Sequence, residues 1–430
     1  MHEKRNLEQI AITDLYLKKN PHKCSLILST GFGKSKVVID ILKALRPKKV
    51  LILVNSTDLR DDSWKVEFKK FKALTMYNKN VEITTYQTAY KWSKAIKNLD
   101  DYFIIADEVD FAADTEKYSA FFDTYFDVKT LGITGFVTDI KKDWFNKYLP
   151  VLKQLTANDA QKEGILNKLH FVFVKYNLSM NPKDIKVEYI KYGSKKHFTQ
   201  SENASYDYKN KQVMILIGEQ AKINTDYMQG KLTVTQFDAQ IRSLQYKIDG
   251  AVRDRSNLLL TSISAATVTK KLIQYILKDK ENKVIIFSKR TSQSEIICGK
   301  ANSYNGKLTK PIAATMFADF QSSKLNYLGV CDKLNRGVNI NNLNTAILET
   351  FYGSDTQAVQ RFGRLMRLDP DKMATIYVLL PYYMRAERDG HTHTVQETQQ
   401  VKWAKNMLRS TSITSYETWD YRTIKSNEDD

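Results

Sequence analysis

The chain has 430 residues, long enough for two domains of ordinary size, each with its own core. Its 42% hydrophobic content fits a soluble globular protein, no apolar run approaches the roughly 18–20 residues that span a bilayer, and the polar opening Met1-His2-Glu3-Lys4-Arg5-Asn6 lacks the apolar core of a secretory signal, so a cytoplasmic location is expected. The formal net charge of +18 is spread through many lysines and fits either a polyanionic partner or a merely lysine-rich surface.

An amphipathic helical pattern (Leu7, Ile10, Ala11, Leu15) opens the chain and ends near Asn20-Pro21. It carries Gln9, which could read an adenine edge, although a lone exposed glutamine can equally do nothing. Cys24-Ser25-Leu26-Ile27-Leu28 then reads as a short buried strand. Leu28-Ser29-Thr30-Gly31-Phe32-Gly33-Lys34-Ser35 follows as a glycine-rich turn, and Lys36 to Leu42 continues as a helix with its apolar residues on one side. In that strand, loop and helix order Gly31 and Gly33 let successive N–H groups face an anion, with the helix N-terminus adding positive potential. Lys34 would sit on the terminal phosphates of a nucleoside triphosphate such as ATP, and the Ser35 hydroxyl on Mg²⁺. The bland alternative is an ordinary strand-to-helix turn that happens to contain Gly-Lys-Ser. Cys24, Cys298 and Cys331 are isolated in sequence, without the close spacing of a zinc or redox motif, so no disulfide framework is expected.

Lys49 to Val54 forms the second strand pattern, followed by a helix holding Trp64 and Phe68, and Val81 to Gln87 forms the third. Tyr102-Phe103-Ile104-Ile105-Ala106 then runs straight into Asp107-Glu108-Val109-Asp110. Burying those acids inside a strand would be costly, so they should emerge at its carboxyl end, where open α/β sheets place their ligands. Asp107 is thereby set to hold Mg²⁺, and Glu108 to orient and deprotonate an attacking water; a solvated acidic turn is the competing reading. Thr130 to Gly135 supplies one more strand with a small polar end.

The middle of the chain differs in kind. Leu169 to Val174 is an apolar strand pattern, the polar stretch from Ser201 to Asn210 suggests a loop, and from Gln212 to Lys280 the pattern is helical, with Met228, Leu232, Phe237, Ile241, Leu244 and Ile248 recurring at steps of three to five. These helices are either an arm that touches nucleic acid or, the favoured reading, a hairpin packed on a second lobe. That lobe follows in the strands Lys283–Ser288, Tyr327–Val330, Thr345–Leu348 and Thr375–Leu380. The tail holds one helical stretch, Gln396 to Leu408. His391 and His393 lack a third nearby ligand and read as solvated loop histidines.

The order of these motifs resembles the superfamily 2 helicases and translocases. Thr30 to Ser35 looks like their motif I in its shorter T-G-x-G-K-S form, with Leu28 where the full Walker consensus has glycine. Asp107-Glu108-Val109-Asp110 is similar to the D-E-x-D or D-E-x-H box, and Ile133-Thr134-Gly135 to the motif that couples hydrolysis to motion. Asp58 to Phe71, with Leu59, Trp64, Glu67 and Phe68, and then Thr84-Thr85-Tyr86-Gln87, resemble the motif Ia region and following strand end of phage-encoded and Snf2-like DNA translocases. Leu334 to Ile340 and Gln360 to Arg367 resemble motifs V and VI, with Asn339 where many relatives carry Asp. In the second of these, Gln360 precedes Gly363 and Arg364, and Arg367 falls three residues after Arg364 on one helix face.

The resemblance implies an α/β fold of two RecA-like lobes with parallel sheets: residues 1–190, then a helical insertion at 191–280, a second lobe at 281–385, and a C-terminal helix and tail at 386–430. It implies ATP and Mg²⁺, with Gln9, Thr30, Gly31, Phe32, Gly33, Lys34, Ser35 and Gly337 on the nucleotide, Ser35 and Asp107 on the metal, and Glu108, Gln360, Arg364 and Arg367 in catalysis. It further implies an ATP-dependent helicase or translocase on single-stranded, duplex or branched DNA, with replication, recombination or repair proteins as partners and the host cytoplasm as the setting if phage-encoded. The P-T-R-E-L-A and H-R-I-G-R-T-G-R forms of DEAD-box RNA helicases are lacking, which weighs against RNA. The alternatives are a motor subunit of a larger DNA-processing complex and a helicase-like scaffold that binds nucleic acid without unwinding.

Overall fold

The structure, a computed structural model, describes all residues except 1, 56–62, 96, 136, 138, 192–193, 332–339, 341–342, 351–372, 388–391, 411–414 and 425–430. Gly337, Gln360, Arg364 and Arg367, with the segment resembling motif VI and all of the segment resembling motif V except Ile340, and also Asp58, Leu59 and His391, lie outside the described residues. The chain divides into two units, one built on Met1–Leu169 and the other on His170–Leu334 and Thr375–Asp430.

The first unit runs α1 (His2–Lys19), β1 (Lys23–Leu28), α2 (Lys34–Leu45), β2 (Lys49–Val54), α3 (Trp64–Lys70), α4 (Leu74–Asn80), β3 (Val81–Thr85), α5 (Tyr86–Ala95), β4 (Tyr102–Asp107), α6 (Glu116–Thr124), β5 (Thr130–Thr134), α7 (Lys142–Tyr148), β6 (Val151–Leu155) and α8 (Ala157–Lys162). Its six strands form one sheet in the order β3-β2-β4-β5-β1-β6, every pair parallel. Parallel sheets are covered on both faces and their strands read as unbroken apolar runs. β2 shows why: Val50, Ile52 and Val54 pack into one core cluster, while Leu51 and Leu53 pack into the other. Alternate side chains of the same strand point to opposite faces, so each face needs its own layer of helices. The chain leaves β1, passes beyond β4 to build β2, and returns through β5, which opens a crevice at the carboxyl ends of β1, β5 and β4, where such sheets take ligands.

The second unit begins with β7 (Leu169–Asn177), β8 (Ile185–Lys191), β9 (Ser194–Gln200), α9 (Glu202–Met228), α10 (Val234–Leu260) and α11 (Ile263–Ile276). It continues with β10 (Val284–Ser288), α12 (Thr291–Cys298), β11 (Ser303–Tyr304), α13 (Lys310–Gln321), β12 (Tyr327–Cys331), β13 (Thr345–Leu348), β14 (Ala374–Ala386), β15 (His393–Glu397), α14 (Gln399–Ser410) and β16 (Tyr416–Asp420). The main sheet has the order β11-β12-β10-β13-β14-β7-β16, with β15 antiparallel on β14. The chain thus has the expected α/β class, with two sheets of mainly parallel strands.

Several local expectations change. β7, which the sequence reading places within residues 1–190 of the first lobe, lies in the second sheet between β14 and β16. Residues 202–210 are helix rather than loop, because the polar groups here are used in place: Ser201 caps α9 by accepting from Ala204 N, and Asn203 exchanges hydrogen bonds with Met384 of β14, Nδ2 to O at 2.8 Å and N to Oδ1 at 2.6 Å. α9 and α10, 27 residues each, form a helical hairpin whose buried residues on α9 end at Val213 and on α10 begin at Leu244, so it is packed through its base. β8 and β9 pair as a separate antiparallel hairpin that no sequence pattern announced. His393 is exposed on β15. Among the described residues no helix is long and apolar enough to cross a membrane.

Candidate active site

The loop after β1 takes the shape its glycines permit. Gly31 and Gly33 have φ of 94° and 95°, a left-handed region that other residues rarely adopt, and Phe32 N donates to Ser29 O at 3.1 Å to close the turn. α2 starts directly at Lys34, with Gly33 as its N-cap. At Gly33 a Cβ would lie 2.6 Å from Gln9 Nε2. That amide donates to Phe32 O at 2.7 Å from a position that is 3% exposed, so Gln9 braces the loop from behind.

Opposite the loop stands the acidic end of β4. Lys34 Nζ lies 3.1 Å from Glu108 Oε1, with the two side chains 12% and 19% exposed. Glu108 has φ 48° and ψ 51°, left-handed for a residue with a side chain; strain of this kind, about 1–3 kcal/mol, collects at functional sites. Asp107 Oδ2 accepts from Trp64 Nε1 at 3.1 Å, and Asp107 O accepts from the Tyr86 hydroxyl at 3.0 Å. Burial, and then the neighbouring Glu108, push the Asp107 carboxyl up to about 6, while Lys34 and Trp64 pull it down. Asp110 is also pushed up to about 6, first by burial and then by Glu108. Its Oδ1 accepts from Thr134 Oγ1 at 2.6 Å, which ties the acidic turn to the end of β5. Lys141 Nζ donates to Asp110 O at 2.9 Å and pairs with Asp114 at 2.6 Å.

The sequence-predicted residues Gln9, Thr30, Gly31, Phe32, Gly33, Lys34, Ser35, Asp107 and Glu108 therefore all belong to the loop, its brace and the facing strand end of one unit. Two side chains that sequence reasoning did not assign here join them. Trp64 is 3% exposed and 43 residues from Asp107; the sequence shows its place in a helix with Phe68 and in the segment resembling motif Ia, but not its contact with Asp107. Tyr86 is 1% exposed and was noted only as part of a strand end.

The loop has hydroxyl donors an anion needs. Ser29 Oγ and Thr30 Oγ1 are shut off from solvent and have no hydrogen-bond partner among the described residues, and Gln9 Oε1, an acceptor, is likewise without one; buried polar groups are normally satisfied. Gly135 presses against this loop, since a Cβ there would lie 2.7 Å from Thr30 Oγ1 and 3.4 Å from Lys34 Nζ. An ammonium, a helix N-terminus and buried hydroxyls in the loop, with the Ser35 hydroxyl in the first turn of α2 and the Asp107 carboxylate at the facing strand end able to ligate a hard cation, fit a nucleoside triphosphate with Mg²⁺.

Residues 1–139 match the family model of the type III restriction enzyme res subunit, and residues 267–369 match the helicase conserved C-terminal domain. No curated protein matches the chain. Among solved structures it is similar to the ATP-dependent type ISP restriction-modification enzyme LlaBIII bound to DNA, with a TM-score of 0.56 and 14% identity over 98% of this chain and 31% of that one. It is also similar to S. cerevisiae Dbp5 bound to RNA and ADP BeF3, with a TM-score of 0.54 and 10% identity over 95% of this chain and 88% of that one. At such identities the likeness is one of fold, two tandem RecA-like lobes.

Proposed function

We propose that this chain, an ATP-hydrolysing helicase of superfamily 2, uses that hydrolysis to move on or remodel DNA. The observation that carries the reading is the juxtaposition of Lys34 with Glu108 at 3.1 Å, at the mouth of a glycine loop whose buried Ser29 and Thr30 hydroxyls have no partner among the described residues. Lys34 meets the terminal phosphates of ATP, and its three donors allow it to keep Glu108 in reach while doing so. Glu108 takes the proton of the attacking water, and Asp107, held by Trp64, and the Ser35 hydroxyl would hold Mg²⁺. When bound, that ion supplies positive charge to the phosphate oxygens. Gln9 keeps the loop in shape through Nε2 and offers Oε1 to the adenine edge. Gln360, Arg364 and Arg367 complete the chemistry, the arginines by meeting charge that builds on the γ-phosphoryl oxygens with paired donors, and Gly337 adds a nucleotide contact. The bond between Thr134 and Asp110 provides a direct link from the acidic turn to the next strand.

DNA rather than RNA is supported by the match of residues 1–139 to a restriction-enzyme subunit and by the lack of the DEAD-box sequence forms. The net charge of +18 supports binding through phosphates with little base reading. Replication, recombination or repair proteins would be the natural partners of such a motor. A triplex-displacement assay tests the motion: ATP should drive release of a third strand from duplex DNA ahead of the moving protein. If the third strand stays bound while ATP is consumed, the chain is a DNA-stimulated ATPase of another kind.

A further inference from the structure

The second unit carries a cavity outside the nucleotide site. β7 and β16 run parallel with Lys175 opposite Asp420, and at their carboxyl ends Lys175, Tyr382, Val395, Asp420, Tyr421 and Arg422 line an open cavity of about 270 Å³. The carboxyl ends of parallel strands are where open α/β sheets accept ligands. The walls are fixed by the backbone. Leu178 N donates to Tyr382 O at 2.8 Å, which ties β14 to the end of β7, and a short 3-10 turn at Tyr421–Thr423 carries two of the lining residues straight on from β16.

The cationic group is equally fixed. Arg422 Nε and Nη2 donate to the two Asp420 oxygens at 2.9 and 2.5 Å, while the same carboxylate accepts from Arg422 N at 3.0 Å. A guanidinium has five N–H donors in one plane, so this pairing holds its orientation and leaves donors for a ligand. Asp420 neutralises Arg422, and the exposed Lys175 leaves the cavity with one net positive charge. Two tyrosine rings, an exposed valine, a fixed guanidinium and an ammonium around a small opening suit a ligand with one flat aromatic face and one anionic end. Aromatic side chains take any base on their π-faces, and cations track its phosphate.

We propose that this cavity binds one nucleotide, its base on Tyr382 and Tyr421 and its phosphate at Lys175 and Arg422. The nucleotide can be part of a strand or free, and the strand source rests on the DNA reading above. The test uses the full chain and two photoprobes with peptide mapping. The first is a single-stranded oligonucleotide carrying 4-thiothymidine; the second is 8-azido-AMP, which lacks the terminal phosphates that the glycine loop would grip. Crosslinks at Tyr382 or the Tyr421 region from the oligonucleotide support the cavity with a strand as its source, and crosslinks from 8-azido-AMP alone support it with free nucleotide as the source.

In the strand case Tyr421→Ala should weaken single-strand affinity about fivefold or more, and Tyr421→Trp should restore it. Lys175→Gln, on an exposed side chain, should lower the slope of log affinity against log salt by about 0.7. If neither probe labels these residues, the cavity proposal is overturned; DNA-stimulated ATP turnover in the same preparation would show that the DNA reading survives it. Conversely, AMP labelling here with no DNA binding or stimulation would leave the cavity standing and remove the DNA reading.

Discussion

Replacing Glu108 by Gln removes a proton acceptor and almost nothing else. The amide keeps the size of the carboxyl and an oxygen at the position 3.1 Å from Lys34 Nζ, and the left-handed backbone at φ 48° is strained to the same degree for either residue. Lys34 loses a competing negative charge, so ATP affinity should hold or rise. Loss of a general base typically costs about 10²–10⁴ in rate, equivalent to about 3–5 kcal/mol of barrier at 1.36 kcal/mol per tenfold. Single-turnover hydrolysis, paired with titration of a fluorescent ATP analogue, reads both quantities. Lys34→Ala serves as the contrast, because it removes the phosphate contact and should weaken binding as well as turnover. Near-normal turnover in Glu108→Gln would show that the proton goes elsewhere and would refute the role assigned to the Lys34 and Glu108 pair.

Three further outcomes follow from other parts of the molecule. Trp64→Phe removes the indole N–H that pulls the Asp107 carboxyl down, so the acid limb of the ATPase pH profile should move to higher pH and half-maximal activity should require more Mg²⁺; an unchanged profile would make Trp64 a packing residue only. Arg364→Lys should still bind ATP but lose about 10³-fold or more of DNA-stimulated turnover if the guanidinium meets the γ-phosphoryl charge, and wild-type turnover with DNA would remove it from that role. Glu349, fully buried beyond β13, accepts from Gln293 Nε2 at 2.9 Å and Thr350 Oγ1 at 3.1 Å, and burial pushes its carboxyl from 4.5 up to about 7. The native state therefore binds the extra proton between those values, stability falls as pH rises across that window, and Glu349→Gln should recover up to about 3 kcal/mol at pH 8 and little at pH 4 in chemical denaturation; equal effects at both pH values would contradict the assignment.

The parts of the site that lie close together in sequence were legible, because their residue types answer to local geometry. A loop that must turn twice through positive φ needs Gly31 and Gly33, and acids that follow an apolar strand must emerge at its end. What could not be read were contacts that only the fold makes. Trp64 meets Asp107 across 43 residues, and Gln9 meets Phe32 O across 23. The sequence offers Gln9 either as a reader of the adenine edge or as a lone exposed side chain; it is buried, which a helix pattern with an apolar stripe on the neighbouring positions does not reveal. The strand at Leu169–Asn177 announced itself by its apolar run, but its neighbours β14 and β16 lie more than two hundred residues further along the chain. Likewise the polar residues after Ser201 suggested a loop because their partners, a helix cap and the edge of β14, are settled by tertiary structure.

Steady-state ATP turnover measured on one preparation with no nucleic acid, single-stranded DNA, duplex DNA, forked DNA and RNA of matched sequence tests the central claim most directly. The account predicts low turnover alone, strong stimulation by at least one DNA form, and weak stimulation by RNA. Equal turnover in all five conditions, or stimulation by RNA alone, would contradict it.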